Sequence, residues 1–443
     1  MTSTSSLNMI FLVRGTISIL GCVVGLGLSG CFGEELVDDI FTAHEWQEIQ
    51  RFSPLPPMPS SPTNRYADDP GAAAIGQKLF FEKRYSGLIT LDHASSEGQV
   101  DEAGKFSCAS CHDPSRFFID TRSRPNDCSV GASQITRRNS PSLVNIAYYE
   151  WGGWAGAQDQ VWKQGASSLE TKDLNGDRLG VAHMLYALYR DEYNAVFEPD
   201  LDPALDPAAA DAARFPARGK PGEPAWEAMT AEDKHIVNQI TANVGKALEA
   251  YERRLISRDA PFDAYVAGNF DAISASAKRG LELFAGKAGC DACHAGPAFT
   301  DQKFHNTAVW QKRPFDNGRY DDILRFDSPF TGAGAFSDDV TAGREKLAGV
   351  VQTEEMLGQF RTKSLRHVAQ TGPYFHDGSV DSLVEVVRHY NQGGALYNYP
   401  GVKDELMVPL HLTDAEIYDI AAFLRTLTGQ PVPAELTLDT SAP

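Results

Sequence analysis

Cys108-Ala109-Ser110-Cys111-His112 and Cys290-Asp291-Ala292-Cys293-His294 are the stretches whose reading decides this fold. In each, thiols three residues apart lie about one helical turn from each other, so both can form thioether bonds to the vinyl groups of one porphyrin. The His directly after the second Cys then becomes the proximal iron ligand. Two covalently attached c-type haems are therefore expected, on His112 and His294. The competing reading is one zinc ion held by the four cysteines, or a pair of redox disulfides. It uses Cys-x-x-Cys alone and has no need of that His.

The surroundings of the motifs repeat as well. Ile75-Gly76-Gln77-Lys78-Leu79-Phe80 precedes the first and Arg279-Gly280-Leu281-Glu282-Leu283-Phe284 the second, each an amphipathic helix start with Gly placed early. The gap from Gly to Cys is longer in the first copy, so residues 86–105 read as an insertion. From His235 to Leu255, Ile240, Val244, Ala247, Leu248, Tyr251 and Leu255 share one helical face. Thr413-Asp414-Ala415-Glu416 is a capping box opening a last helix that buries Ile417, Ile420, Ala421, Leu424 and Leu427. The expected fold is mostly α-helical, with two cytochrome c-like haem domains packed against each other and long loops. Residues 71–262 form the N-terminal domain, 263–430 the C-terminal domain, and 431–443 a tail. Residues 199–224 read as a surface loop, and 304–339, rich in Gly and Asp, as a loop over the second haem.

Upstream of this lie Arg14, an apolar run from Ile17 to Leu28, and Leu28-Ser29-Gly30-Cys31, with no acidic residue before Glu34. This pattern resembles a bacterial lipoprotein signal over residues 1–30, leaving Cys31 as the lipidated first residue. The run is shorter than the roughly 20 apolar residues of a membrane span. Residues 31–70, Pro-rich from Ser53 to Pro62, read as an extended tether. Of seven cysteines, four hold haem, Cys22 leaves with the signal and Cys31 takes lipid, so Cys128 alone remains and no disulfide is expected within the chain. The expected location is the periplasmic side of the cell envelope, with membrane contact only through the anchor on Cys31. A net charge of −19 over 443 residues argues against nucleic acid and against an electrostatic grip on anionic lipid.

From Gly71 to Gly429 the chain resembles the bacterial dihaem cytochrome c peroxidase and MauG superfamily. The resemblance rests on both haem motifs and on Arg138-Asn139-Ser140-Pro141-Ser142-Leu143-Val144-Asn145, Phe299-Thr300-Asp301, Phe304-His305-Asn306, Leu365-Arg366, Pro373-Tyr374-Phe375-His376-Asp377-Gly378 and Ala421 to Gly429, in that order. It implies that His112 holds the peroxidatic iron and His294 the electron-relay iron. It also implies that Trp154 lies between the haems and that Gln164 belongs to the distal pocket; Trp151 and Trp162 are read as core. Cleaving peroxide requires a base that moves a proton from the inner to the outer oxygen. The family's Glu falls here on Asp173, reached with one residue deleted, while Glu170 stands one turn earlier; Asp173 ranks slightly ahead.

No His occurs between His112 and His183, so the peroxidatic haem should be open at rest. The family's Met ligand of the relay haem falls on Tyr390, as in the MauG-like members; His389, His376 and His367 are the competitors. Phenolate ligation favours ferric iron and eases access to higher oxidation states. The stripe of Leu383, Val386, Val387 and Tyr390 would also suit a core Tyr. The resemblance further implies one calcium ion between the domains, held by the Asn139 side chain and the carbonyls of Thr371 and Pro373. The expected activity is a MauG-like peroxidase, with the methanobactin-associated dihaem enzymes as subtype. Hydrogen peroxide would bring both haems to a shared high-valent state that oxidises aromatic side chains of a partner protein. The alternatives are a cytochrome c peroxidase fed by a small cytochrome or cupredoxin, and a non-enzymatic dihaem electron carrier. The MauG surface Trp before the second haem motif is replaced by Ala288-Gly289, so any hole-transfer route leaves elsewhere.

Overall fold

The computed structural model describes residues 36–124 and 127–442. The expectations for the signal segment 1–30, Cys22 and Cys31 lie outside the described residues. Among the described residues no helix is long and apolar enough to cross a membrane.

The chain is mostly helical, as expected, and among the described residues the named strands form only the two-stranded antiparallel pair Phe304–His305 and Phe360–Arg361. Two hydrophobic cores match the two repeats. In the first, the helix Pro70–Phe81, capped by Asp69, crosses the long helix Ala231–Glu252, capped by Thr230. In the second, Ala275–Ala285, capped by Ser274, crosses Asp414–Arg425, which opens with the capping box of Thr413 and Glu416. The early glycine of each repeat lies at its crossing. A side-chain carbon on Gly76 would stand 1.9 Å from the Ala247 carbonyl oxygen, and one on Gly280 would stand 2.0 Å from that of Asp419. Only glycine lets the helix backbones come this close, which explains its recurrence at the same place in both copies.

The terminal segments depart from expectation. Within the expected tether, residues 36–70 are ordered against the fold: Ala43–Ile49 is a helix with its own Thr42–Glu45 capping box, and Phe41, Ile49 and Phe52 are buried in the second core. The final residues are not a free tail either. Leu436 is buried in the first core, Tyr251 Oη donates to its carbonyl at 2.5 Å, and Gln77 Nε2 donates to the Glu435 carbonyl at 2.7 Å. Each terminal segment thus closes the core of the other half of the chain. Thr42-Ala43-His44-Glu45 is a local capping signal that pattern reading passed over, whereas Leu436 stands among prolines with no period and takes its place from burial.

The 304–339 loop divides its packing. His305, Thr307 and Val309 line the cavity beside the second haem motif, as expected. Phe330 and Phe336 instead pack against Trp162 and Ala242 of the first half, and Asp338 pairs with Lys246 at 2.6 Å. The 199–224 segment carries buried Leu201, Leu205 and Phe215 into the first core.

Candidate haem sites and the passage between them

The two Cys-x-x-Cys-His motifs present their histidines in the same way. His112 Nδ1 lies 3.1 Å from the Phe118 carbonyl oxygen and His294 Nδ1 lies 3.0 Å from that of Phe299. A carbonyl only accepts, so Nδ1 carries the proton and Nε2 keeps the lone pair that binds iron. Phe118 and Phe299 adopt left-handed φ of 58° and 51°, turning those carbonyls back onto the rings. Burial lowers both imidazole pKa values and favours the neutral, ligating form.

The thiols do not converge on a common metal. Cys108 packs at the edge of the first core and Cys290 at the edge of the second, and burial pushes both thiols up to about 12. Among the described residues the single cluster with metal-binding spacing is Cys293, Asp301 and His305. Its Cys belongs to the haem motif, and His305 is held by Asp404 at 2.7 Å and Asp301 at 2.9 Å.

A cavity at the junction of the halves is lined by Cys290, Cys293, His294 and Tyr390 from the second half and by Asn139, Tyr149 and Trp154 from the first. Its largely apolar lining suits a porphyrin. Its polar lining suits the propionates, because Arg361 and Lys363 also line it. All three guanidinium nitrogens of Arg361 are buried without a hydrogen-bond partner, and its charged end stacks 3.8 Å from the Tyr149 ring. Lys363 Nζ stands 4.9 Å from the Trp154 ring, and burial together with Arg361 pulls its pKa far down. Buried cations without partners are costly, and haem carboxylates are the anions that would complete them. The sequence reading missed this pair. The available signal was Phe360-Arg361-Thr362-Lys363, whose alternate cations fall on one face of an extended segment.

The remaining site residues sort as follows. Trp154 lies at the junction, with Nε1 donating to the Asn139 carbonyl at 2.6 Å. Trp162 is fully buried core, while Trp151 is partly exposed and stacks under the Arg319 guanidinium, 4.5 Å from its ring. Asp173 Oδ1 accepts from Gln134 Nε2 at 2.7 Å, and its charge acts on the Cys111 thiol, which places it at the first haem motif. Glu170 is spoken for by Arg178, through Nε at 2.7 Å and Nη2 at 2.6 Å. Gln164 donates to Ser168 of its own helix at 2.9 Å.

Tyr390 lines the cavity it shares with His294, and burial raises its pKa. Of its competitors, His389 is bonded to the Thr307 carbonyl at 2.9 Å and His367 to Asn145 at 3.1 Å. His376 lies flat on Phe360, ring centres 3.8 Å apart.

Of the residues expected to hold calcium, Asn139 and Pro373 are bonded to protein groups. Asn139 Oδ1 accepts from the Arg124 guanidinium at 3.2 Å, and Asn139 Nδ2 donates to the Pro373 carbonyl at 2.8 Å. A cation already occupies one expected oxygen and an N–H the next.

Other motif residues are structural. Arg366 clamps Asp263 through both terminal nitrogens at 2.9 Å and reaches the Phe52 carbonyl at 3.2 Å. Arg138 grips Asp316 at 2.6 and 2.7 Å and Asp322 at 2.6 Å, fastening the long loop to the first half.

A mostly helical chain whose two halves each present a haem-attachment motif, with a Trp at their junction, defines a dihaem c-type protein. Comparison with known proteins refines the class. Residues 70–271 match the family model described as di-haem cytochrome c peroxidase. Cytochrome-c peroxidase IdrP1 of Denitromonas iodatirespirans is 34% identical over 393 residues, covering 85% of this chain and 87% of that protein. Methylamine utilization protein MauG of Methylorubrum extorquens is 31% identical over 372 residues, covering 83% and 81%. Among solved structures, a MauG-like protein associated with microbial copper homeostasis has a TM-score of 0.53 at 24% identity, covering 88% of this chain and 98% of its own. The diheme peroxidase BthA of Burkholderia thailandensis has 0.56 at 21%, covering 88% and 94%. The chain belongs to the di-haem cytochrome c peroxidase family, a family of haem peroxidases that carry two c-type haems.

Proposed function

We propose that this enzyme is a MauG-like peroxidase that takes its electrons from aromatic side chains of a partner protein. The supporting observation is Tyr390, which lines the second haem's cavity with His294, whereas His389 and His367 are hydrogen-bonded elsewhere and His376, on the same cavity wall, lies flat on Phe360. The haems supply reaction with peroxide and storage of the oxidising equivalents. The balance is one peroxide, two electrons and two protons to two waters. Asp173, oriented by Gln134, takes the proton from the inner peroxide oxygen and delivers it to the outer one, so that water leaves. Glu170, saturated by Arg178, holds the loop instead. Trp154, at the junction, carries electrons between the halves, and Arg361 and Lys363 would hold the carboxylates of a bound haem. His183, the first His after His112, is bonded to the Leu205 carbonyl at 2.9 Å and the Phe215 carbonyl at 3.2 Å, which fits an open peroxidatic site.

The same proposal places the enzyme on the periplasmic side of the envelope, anchored by lipid on Cys31. A second reading, a scavenging cytochrome c peroxidase fed by a small cytochrome or cupredoxin, is favoured by the name of the 34% identical relative. Low-temperature EPR of the resting diferric protein, followed by one equivalent of peroxide, separates them. A mixed high-spin and low-spin spectrum that loses both signals without prior reduction supports the first reading. Two low-spin haems that ignore peroxide until half-reduced support the second.

A further inference from the structure

We propose that Arg124 is the fixed cation of the interdomain junction and that this chain needs no calcium there. The loop carrying Arg124 leaves the first half and reaches the second. Nη1 donates to the Gly378 carbonyl at 2.9 Å, and Nη2 donates to Asn139 Oδ1 at 3.2 Å. Four residues on, the Cys128 thiol donates to the Asp377 carbonyl at 3.0 Å, so the loop is tied twice to one turn of the other half. Gly378 is shaped for this guest. Its φ is 61°, and a side-chain carbon there would lie 1.6 Å from Nη2.

The acceptors implied for a metal are accounted for in the same way. Asn139 Oδ1 faces the guanidinium, the Pro373 carbonyl receives the Asn139 amide, and of the implied set the Thr371 carbonyl alone is left. Calcium takes six to eight oxygens at roughly 2.3–2.6 Å. A dication inserted beside the guanidinium would also be repelled by it. The guanidinium differs from the metal in two ways that matter. It stays charged at any working pH and no chelator removes it. It also places one positive charge, not two, next to the Asn139 that holds Trp154 through its carbonyl. Arg124 is thus a positioning residue acting on Trp154 through Asn139, whichever electron source the enzyme uses.

The test uses the full-length, haem-loaded protein. It is dialysed against EGTA, passed through a calcium-free column, and analysed for metal by plasma mass spectrometry, with haem EPR recorded before and after. The expected result is no retained calcium and superimposable spectra. One calcium per chain, or EPR lines that move with EGTA and return with added calcium, overturns the proposal. In a second arm, Arg124→Met should shift the haem EPR lines and Arg124→Lys should shift them less; lines unmoved in Arg124→Met also overturn it. The wild-type metal analysis decides the matter even where a variant fails to fold.

Discussion

Replacing Lys363 by Met tests the electrostatics of the passage between the haems. Lys363 is partly buried at the junction with Nζ 4.9 Å from the Trp154 ring, and Met keeps much of its length without the charge. At an effective dielectric near 20, a unit charge at that separation opposes a positive charge on Trp154 by about 3 kcal/mol. Pairing with a propionate screens part of this. With roughly 1.4 kcal/mol per factor of ten, the oxidation equilibrium of Trp154 should shift by about tenfold to a hundredfold in Lys363→Met. The assay is a spectropotentiometric titration of both haems, joined to freeze-quench EPR after one equivalent of peroxide. Both midpoint potentials should fall, because removing a buried positive charge disfavours the reduced iron, and a Trp-centred radical should accumulate to a higher level. Potentials that stay within error, or rise, would refute the reasoning by showing that Lys363 carries no charge in the loaded protein. That outcome is physically accessible, since burial and Arg361 both drive its pKa down.

Asp173→Asn should lower the rate of peroxide reaction by about a hundredfold to ten-thousandfold, read by stopped-flow loss of the haem absorbance, while haem content is unchanged. Glu170→Gln should leave that rate near wild type and instead cost about 1.5–3 kcal/mol of stability in denaturant melts, because it weakens the Arg178 clamp. Leu436→Ala should cost about 2–5 kcal/mol, as expected of a side chain inside the first core and unlike one on a free tail. Glu252 is pushed up to about 8 by burial and by Glu249, from an ordinary 4.5. The native state therefore holds a proton that the unfolded chain has released, and stability should fall as pH rises through that window. Glu252→Gln should flatten this slope in melts taken across the same pH range.

The sequence by itself determined the chemistry-bearing framework. Each attachment motif is contiguous, and the bond pattern of one porphyrin fixes its spacing, so Cys108 to His112 and Cys290 to His294 were readable without any fold. The helices at Ala231–Glu252 and Asp414–Arg425 were legible for a similar reason, because a 3.6-residue period and a capping box are local signals. What only the tertiary structure decided depends on residues far apart in the chain. The burial of Phe41, Ile49, Phe52 and Leu436 comes from the opposite core, which no local signal around them announces. Asp173 and Glu170 look alike in sequence, and the position of Arg178 separates them. Tyr390 looks like any core Tyr on an apolar stripe until the cavity wall places it with His294. Arg124 stands far from Gly378 in sequence, and its contact with Asn139 depends on how two halves meet. Electrostatic partners are chosen by distance in space, which a linear pattern does not encode.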